Sequence, residues 1–140
     1  MVTRLTFLIS TILIASPAAA QWQPNGVPLN GGGVPQVVTD GSDGAIVAWE
    51  YWDPWTGQWD YGMGQRLSPG GSELWQPYGH VLCGSSDQNV PQLVSDGAGG
   101  AIFVWLDNRN GYLNIYAQRI DASGAEQWEP CGVAVRIGNS

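Results

Sequence analysis

The sequence predicts an all-β protein made of repeated, four-stranded antiparallel units, and two observations carry this prediction. First, the fifteen residues from Pro35 to Trp49 align without a gap on those from Pro91 to Trp105, and nine of the fifteen are identical. Second, the apolar runs in these blocks are short, rich in β-branched and aromatic residues, and separated by Gly-rich turns. After residue 20, no window shows the period of an amphipathic helix.

Two further similarities define the length of the repeat. Residues 65–75 align on 118–128, and the pattern Trp-x-Pro-x-Gly recurs at a spacing of 53 residues. It begins at Trp22, Trp75 and Trp128. Internal similarity at a fixed period indicates repeated supersecondary units.

The repeats divide the chain after residue 20. Repeat one is predicted at about residues 22–74, repeat two at about 75–127, and the start of a third at 128–140. Between "AIVAW" and "QR", repeat one is three residues longer than repeat two. Because length changes fall in loops, the aligned blocks are predicted to be the strands.

Each repeat is predicted to contain four strands. The first, "PQVVT" or "PQLVS", begins with a proline, where a missing N–H is tolerated. The second, "AIVAW" or "AIFVW", is apolar throughout and is expected to be buried on both faces, after a tight Gly-rich turn. The third includes "NIYAQRID", and the Trp-x-Pro-x-Gly segment leads into the fourth, "GHVLC" or "GVAVR". By this alignment, the chain after residue 20 begins and ends in a fourth strand.

These motifs resemble a β-propeller-like repeat of secreted bacterial proteins. Its blades follow the pattern P-x-[hydrophobic]-V-[ST]-D-G-x-G-G-A-I, an apolar pair and W, then Y-A-Q-R-[IL]-D and a G before the next W. Repeat two matches through residues 91–105 and 116–128, whereas repeat one departs at Asp43 and at "MGQRLS". The resemblance implies propeller blades over nearly all of the chain after residue 20, but such blades serve many functions.

The number of blades sets an expectation about assembly. A closed propeller typically needs about four to eight blades, and this chain supplies about two. We therefore expect a homo-oligomer, a longer propeller of which this is a part, or an open pair of sheets. An open pair would expose strand edges and favour association.

Residues 1–20 are predicted to be a signal peptide that is removed at about Ala20. They comprise a cationic start ending at Arg4, the apolar run "LTFLISTILIA" and the small residues "SPAAA". The run is shorter than the roughly 20 residues that cross a bilayer. We expect a secreted protein, extracellular or periplasmic, whose mature chain is not inserted in a membrane. An N-terminal membrane anchor is the alternative.

The charge balance narrows the classes of partner. The chain has twelve acidic residues, five arginines and no lysine, for a formal net charge of −7. Binding to nucleic acid or to anionic lipid requires clustered basic residues, so neither is expected. The partners that we expect are a glycan or a cell-surface protein.

No cofactor is predicted. Asp40 and Asp43, three residues apart in a Gly-rich loop, are a weak candidate for binding calcium. An Asx-type turn explains Asp40 as well as its counterpart Asp96, which has no second acidic residue beside it. Cys83 and Cys131 are candidates for a disulfide, which an exported protein permits, although they are not equivalent in the repeat.

Enzyme chemistry has weaker support than binding. A glycoside hydrolase needs two carboxylates, and Glu50, Asp53 and Asp60 surround one aromatic loop. A Ser–His–Asp site would depend on His80, the sole histidine, and no motif accompanies it. We therefore predict a non-enzymatic module for binding or adhesion, with a glycoside hydrolase or a purely structural blade array as alternatives.

The stretch from Trp49 to Tyr61 contains four tryptophans and two tyrosines. Trp49 has the counterpart Trp105 and is predicted to lie in the core. Trp52 and Trp55 have no aromatic counterpart and are predicted to lie in the longer loop of repeat one.

Flat rings suit the apolar faces of sugars, and acidic side chains accept hydrogen bonds from hydroxyls. The predicted carbohydrate-binding residues are Trp52, Trp55, Trp59, Asp53 and Asp60. The alternative is that these rings pack against the end of the blade or against another blade or subunit.

Overall fold

The computed structural model of the chain describes residues 22–29, 31–55, 57–84 and 88–136. Within its strands, the side chains of five residues are left undescribed: Gln58, Trp59, Asp60, Val90 and Arg136. The predicted signal peptide lies outside the described residues. Every described residue lies in a strand, turn or loop and none in a helix, so the all-β prediction is confirmed. In this part of the chain there is accordingly no helix long and apolar enough to span a membrane.

Eight strands form two antiparallel sheets of four strands each, in which neighbours along the chain are neighbours in space. Sheet 1 consists of β1 (Gly32–Thr39), β2 (Ala45–Asp53), β3 (Gln58–Leu67) and β4 (His80–Val81). Sheet 2 consists of β5 (Gln88–Ser95), β6 (Ala101–Asp107), β7 (Asn114–Ile120) and β8 (Val133–Arg136).

The first strand pair of each sheet is interrupted at the same point. The register shifts between Gly33 and Gln36 in sheet 1, and between Asn89 and Gln92 in sheet 2. Each interruption includes the proline that begins the aligned block, Pro35 or Pro91 in the two sheets. Because proline has no N–H to donate to the ladder, a local break in pairing follows.

The turn after this strand is built in the same way in both sheets. In sheet 1, the N–H groups of Ser42 and Gly44 donate to Asp40 Oδ1, each at 2.8 Å. In sheet 2, the N–H groups of Ala98 and Gly100 donate to the equivalent aspartate at 2.8 and 2.9 Å. The predicted Asx turns are therefore confirmed. A Cβ on Gly44 would lie 2.3 Å from the carbonyl oxygen of the last residue of β3, so no side chain fits there.

Each of these aspartates also pairs with an arginine of the third strand. The Arg66 guanidinium lies 2.9 Å from Asp40, and the Arg119 guanidinium lies 2.9 Å from Asp96. Burial by itself raises the pKa of Asp40, but the N–H donors of the turn and Arg66 outweigh it and hold this pKa below its usual value. The same balance lowers the pKa of Asp96.

The core lies between the two sheets. Phe103 of β6 is fully buried and projects toward sheet 1, where a Cβ on Gly64 would lie 2.9 Å from its ring. The surfaces that meet here we call the joining faces, and the opposite surfaces the outer faces. The joining face of sheet 1 includes Ile46, Ala48 and Gly64, and that of sheet 2 includes Ala101, Phe103 and Trp105.

The prediction that "AIFVW" is buried on both faces is wrong. Burial along β6 alternates, with Ala101, Phe103 and Trp105 buried and the residues between them partly exposed. Successive side chains of a strand point to opposite sides of the sheet, and the described part of the chain covers only one side of sheet 2. An apolar run is therefore left partly open on the outer face.

Cys83 and Cys131 form a disulfide across the two sheets. It joins the residue two positions after β4 to the turn before β8, with a Cα–Cα distance of 4.6 Å. The cross-link closes a loop with a sequence separation of 48. It therefore adds a covalent connection to the apolar contact between the sheets.

The sheets begin later than the sequence repeats. Each sheet takes its fourth strand from the Trp-x-Pro-x-Gly segment of the following repeat, so sheet 1 spans residues 32–81 and sheet 2 spans residues 88–136. A strand was also expected after the first such segment. Residues 22–29 contain a turn and no strand, so this expectation is not met there.

Candidate functional site

The end of the β2–β3 hairpin carries the predicted aromatic residues. β2 continues to Asp53, two positions beyond the point equivalent to the end of β6. Trp52 therefore lies in a strand, its backbone paired with that of Trp59, and its predicted position in a loop is wrong. Aromatic residues favour strands, which explains why the ladder is longer here than in sheet 2.

A hydrogen-bonded turn closes this hairpin and holds Trp55 in solvent. Asp53 Oδ1 accepts the N–H of Trp55 at 2.7 Å, and the Asp53 carbonyl oxygen accepts the N–H of Gly57 at 2.8 Å. Gly57 has a φ of 71°, which a side chain would disfavour. The Trp55 side chain is 92% exposed, and Trp52 is also exposed. The turn thus presents a large ring at a fixed backbone position.

A pair of tyrosines lies next to these tryptophans along the hairpin. Tyr51 and Tyr61 stand directly opposite each other on β2 and β3, with ring centroids 6.4 Å apart and planes inclined by 19°. The sequence analysis missed this pair because the register between the strands was unknown. The alternation of apolar and polar residues from Trp49 to Tyr51 indicated a strand but did not identify the partner of Tyr51. The stack stabilises the hairpin on which the exposed tryptophans lie.

The structure brings together three of the five predicted ligand-binding residues. Trp52, Asp53 and Trp55 lie at one hairpin end. The side chains of Trp59 and Asp60 lie outside the described part of the chain, although their backbone belongs to β3. Asp53 has a role that the sequence analysis did not assign, since its carboxylate holds the turn.

Trp49 is buried, as predicted, but on the outer face of sheet 1 rather than in the core between the sheets, and its indole N–H has no described partner. The ring is 4% exposed, and Nε1 has no hydrogen-bond partner among the described residues. A depression of about 140 Å³ adjoins the ring on the outer face of sheet 1, lined also by Leu29, Gly32, Pro35 and Val47. The equivalent Trp105 in sheet 2 donates to Asp107 at 3.1 Å.

Asp107 is the centre of a buried network that has no equivalent among the described side chains of sheet 1. Its carboxylate accepts a hydrogen bond from Arg109 Nε at 2.9 Å, and the guanidinium carbon lies 3.8 Å from the centroid of the Tyr116 ring. Arg109 also donates to the Cys131 carbonyl oxygen at 3.1 Å. Burial raises the pKa of Asp107, but its hydrogen bonds with Arg109 and Trp105 outweigh this effect and lower it. The tips of the two hairpins thus differ in chemistry.

The carboxylate of Asp40, the weak candidate for binding calcium, is hydrogen-bonded within the protein. Asp40 Oδ1 accepts the two N–H donors of its turn and Oδ2 accepts Arg66 Nε at 3.0 Å, so both carboxylate oxygens are engaged. Asp43 lies exposed in the turn with a φ of 63°. Over the ranges that the structure describes, no three or more His, Cys, Asp or Glu residues form a group able to hold a metal ion.

Of the three acidic residues considered for glycoside hydrolysis, Glu50 and Asp53 lie at different places, and the Asp60 side chain lies outside the described part of the chain. Glu50 is buried on the joining face of sheet 1, since it pairs with Gly62 and alternates with Ala48. Asp53 lies at the hairpin end, where its carboxylate accepts a hydrogen bond from the turn. Among the described side chains, the hairpin end therefore presents exposed rings more clearly than a pair of carboxylates.

Comparison with other proteins leaves the geometry as the basis for assigning a function. No family model, curated protein or solved structure matches the chain. The exposed end of the β2–β3 hairpin is the feature that needs a functional explanation. The Trp55 ring lies in water and forgoes the free energy that burial of its apolar surface would contribute, so its exposure calls for a functional reason.

Proposed function

We propose that the two sheets are successive blades of a β-propeller-like repeat and that the chain is a non-enzymatic binding module. Three features that the sheets share support this proposal. They have the same strand order, the same break of register in the first strand pair, and the same Asx turn with its arginine. Blades of this kind are rigid frameworks that differ chiefly in their loops, and the loops are where binding residues concentrate.

The ligand that best fits the β2–β3 hairpin end is a carbohydrate. The observation that carries this proposal is the 92% exposure of Trp55 on a turn that Asp53 orders. Burying a large apolar side chain contributes about 1.5–3 kcal/mol, which Trp55 does not gain against the described part of its own chain. A flat ring held at a defined position is suited to stacking on the C–H face of a sugar, with Trp52 as a second stacking face.

The acidic residues of the site refine the class of glycan. Asp53 acts by positioning the Trp55 backbone, and Asp60 is the proposed acceptor for sugar hydroxyls. The formal net charge of the chain is −7, and its field repels polyanions. A neutral or cationic glycan is therefore expected, rather than a sulfated or uronic acid polymer. Adhesion to a cell surface that displays such a glycan is the corresponding biological role.

An exported location agrees with this role. The disulfide between Cys83 and Cys131 supports it, because disulfides persist in oxidising compartments. The apolar, cationic start of the sequence supports it independently. We therefore propose that the mature module acts outside the cell or in the periplasm.

A glycan array tests the binding proposal. The wild-type chain should bind at least one neutral or cationic glycan, and the double variant Trp52→Ala/Trp55→Ala should bind it about 100-fold more weakly, because two stacking faces are lost. Asp53→Ala should weaken binding by about tenfold, since the rings remain but the turn loosens. Tyr112→Ala is the matched control, because Tyr112 is an exposed aromatic residue between β6 and β7. Equal binding by wild type and the double variant, or no glycan bound by either, contradicts the proposal.

A further inference from the structure

Trp75 and Trp128 occupy equivalent positions but have different surroundings. The backbone N–H of Trp75 donates to Gln65 Oε1 and that of Trp128 donates to Gln118 Oε1, each at 3.0 Å. The Trp75 side chain is nevertheless 6% exposed, whereas Trp128 is 38% exposed. Since the local bonding is the same, the difference comes from what lies against each ring.

The neighbouring sheet is what covers Trp75. Its indole N–H donates to the carbonyl oxygen of Ala122 at 3.3 Å, and a Cβ on Gly124 would lie 3.0 Å from its ring. Both residues belong to the turn that follows β7 of sheet 2. The ring is also 6.1 Å from that of Phe103, measured between centroids. Trp75, which follows the third strand of sheet 1, thus packs against sheet 2 and anchors the contact between the sheets.

The outer face of sheet 2 is equivalent to the joining face of sheet 1 and is largely apolar. It contains Val104 and Ile115, which line a depression of about 260 Å³ together with Gln92, Trp105 and Leu106. Val94, Val133 and Trp128 are exposed on this sheet. The outer face of sheet 1 is in turn equivalent to the joining face of sheet 2, and its Val37 is exposed. The chain therefore presents both halves of the contact that it already makes internally.

We propose that the outer face of sheet 2 binds the outer face of sheet 1 in a second copy of this chain. The contact repeats the one between the two sheets within the chain, so the argument rests on continuity with an existing interface. It is heterologous, because two different faces meet, and it produces rings or open arrays according to whether the rotation closes. The inference goes beyond the proposed glycan site and does not depend on it.

Side-chain size supports the pairing of these two faces. In the interface within the chain, the large Phe103 of sheet 2 lies over Gly64 of sheet 1. The alignment places Val47 where Phe103 stands and Ala117 where Gly64 stands. Between copies, Val47 would therefore face Ala117, a medium side chain against a small one. Within the chain, the large Phe103 faces Gly64, which has no side chain. Close packing requires such compensation of volume across an interface.

Trp22 occupies, within the chain, the place that Trp128 of a second copy would take. A Cβ on Gly71, the counterpart of Gly124, would lie 3.5 Å from the Trp22 ring and 2.7 Å from Val27. The segment from Trp22 to Val27 therefore covers the turn after β3, which is where the Trp128 ring of a second copy would lie. Association with a second copy requires its displacement, so this segment weakens self-association by competition.

Sedimentation velocity over a range of protein concentrations tests the proposal on the purified chain and three variants. Trp22→Ala should lower the dissociation constant for self-association by about tenfold or more, because the competing ring is removed. Trp128→Ala should raise it by about tenfold or more, because the anchor is removed. Val104→Asp, introduced together with Trp22→Ala, should abolish association, because a carboxylate is placed in the apolar face.

Tyr112→Ala is the control, since it removes an exposed aromatic side chain from the loop between β6 and β7 and should leave association unchanged. Far-UV circular dichroism verifies that each variant is folded. The proposal is overturned if Trp22→Ala associates no more tightly than wild type, including the case in which both remain monomeric. It is also overturned if folded Val104→Asp/Trp22→Ala associates as tightly as Trp22→Ala alone.

Discussion

The β2–β3 and β6–β7 hairpins have the same framework but end differently. In sheet 2, Asp107 satisfies the Trp105 indole and pairs with Arg109, so the end of β6 is closed by a buried ionic network. In sheet 1, the equivalent positions hold Tyr51 and Asp53. The strand continues, the Trp49 indole has no described partner, and the exposed tryptophans follow. Two hairpins with equivalent backbones thus end differently: β6–β7 in a buried ionic network, and β2–β3 in exposed aromatic side chains.

The end of the β6–β7 hairpin is stabilised by its contacts, whereas the end of the β2–β3 hairpin has features that lower stability. A buried donor without a hydrogen bond costs about 1–3 kcal/mol, and an exposed tryptophan gains nothing from burial. The chain bears both costs in the same hairpin of sheet 1. Local rules are most often broken at functional sites, which are stabilised by the rest of the structure. The β2–β3 hairpin is therefore the better candidate for a binding site.

The largest expected effect comes from breaking the network in sheet 2. Asp107→Ala should lower the free energy of unfolding by about 3 kcal/mol, because it leaves the Trp105 N–H and the Arg109 charge without their acceptor. Asp53→Ala is the matched change at the end of the other hairpin and should cost about 1 kcal/mol or less, since it loses one exposed hydrogen bond. Urea unfolding measures both values. Equal losses for the two variants would show that the hairpin ends do not differ in stability.

A smaller effect is expected from transferring the network to sheet 1. Tyr51→Asp alone should destabilise the chain by about 2 kcal/mol, because it removes the stack with Tyr61 and places an unpaired carboxylate beside the buried Trp49 ring. Adding Asp53→Arg should recover at least about 1 kcal/mol relative to the sum of the two single changes. The pair would reproduce Asp107 and Arg109, and would offer an acceptor to Trp49. A double-mutant cycle in urea measures this coupling, and additive single effects would contradict it.

The smallest difference between the sheets is expected in their response to acid. The pKa values of Asp40 and Asp96 are both held below the ordinary 3.8, so their stabilising effect is present above that pH and is lost as the pH falls through the lowered values. Urea midpoints should therefore drop as the pH falls below 3.8. Asp40→Asn and Asp96→Asn should each reduce this drop by a similar amount. A drop that neither variant changes would exclude these ion pairs as its source.

Much of the framework was predictable because the repeat supplied two copies of each local signal. The Asx turns at Asp40 and Asp96 follow from Asp-Gly sequences next to a strand. The burial of Trp49 follows from its counterpart, Trp105. The strand that continues through Trp52 was not predictable, because a proline and a glycine nearby indicated a loop while the cross-strand partner was unknown. Trp55 was predicted in a loop and lies in a turn that Asp53 orders, a role that sequence spacing does not reveal.

By itself, the sequence determined most of the strands, the Gly-rich turns and the alignment of one repeat on the other, because these depend on local propensity and on the period of apolar residues. Tertiary structure alone decided which side of each sheet is covered. Phe103 and Val104 are adjacent and both apolar, yet one is enclosed against Gly64 and the other lies on the open face. Trp75 and Trp128 likewise share a motif and a hydrogen bond but differ in burial. Burial depends on which surface lies opposite, and that surface belongs to residues far along the chain or, as we propose, to another copy of it.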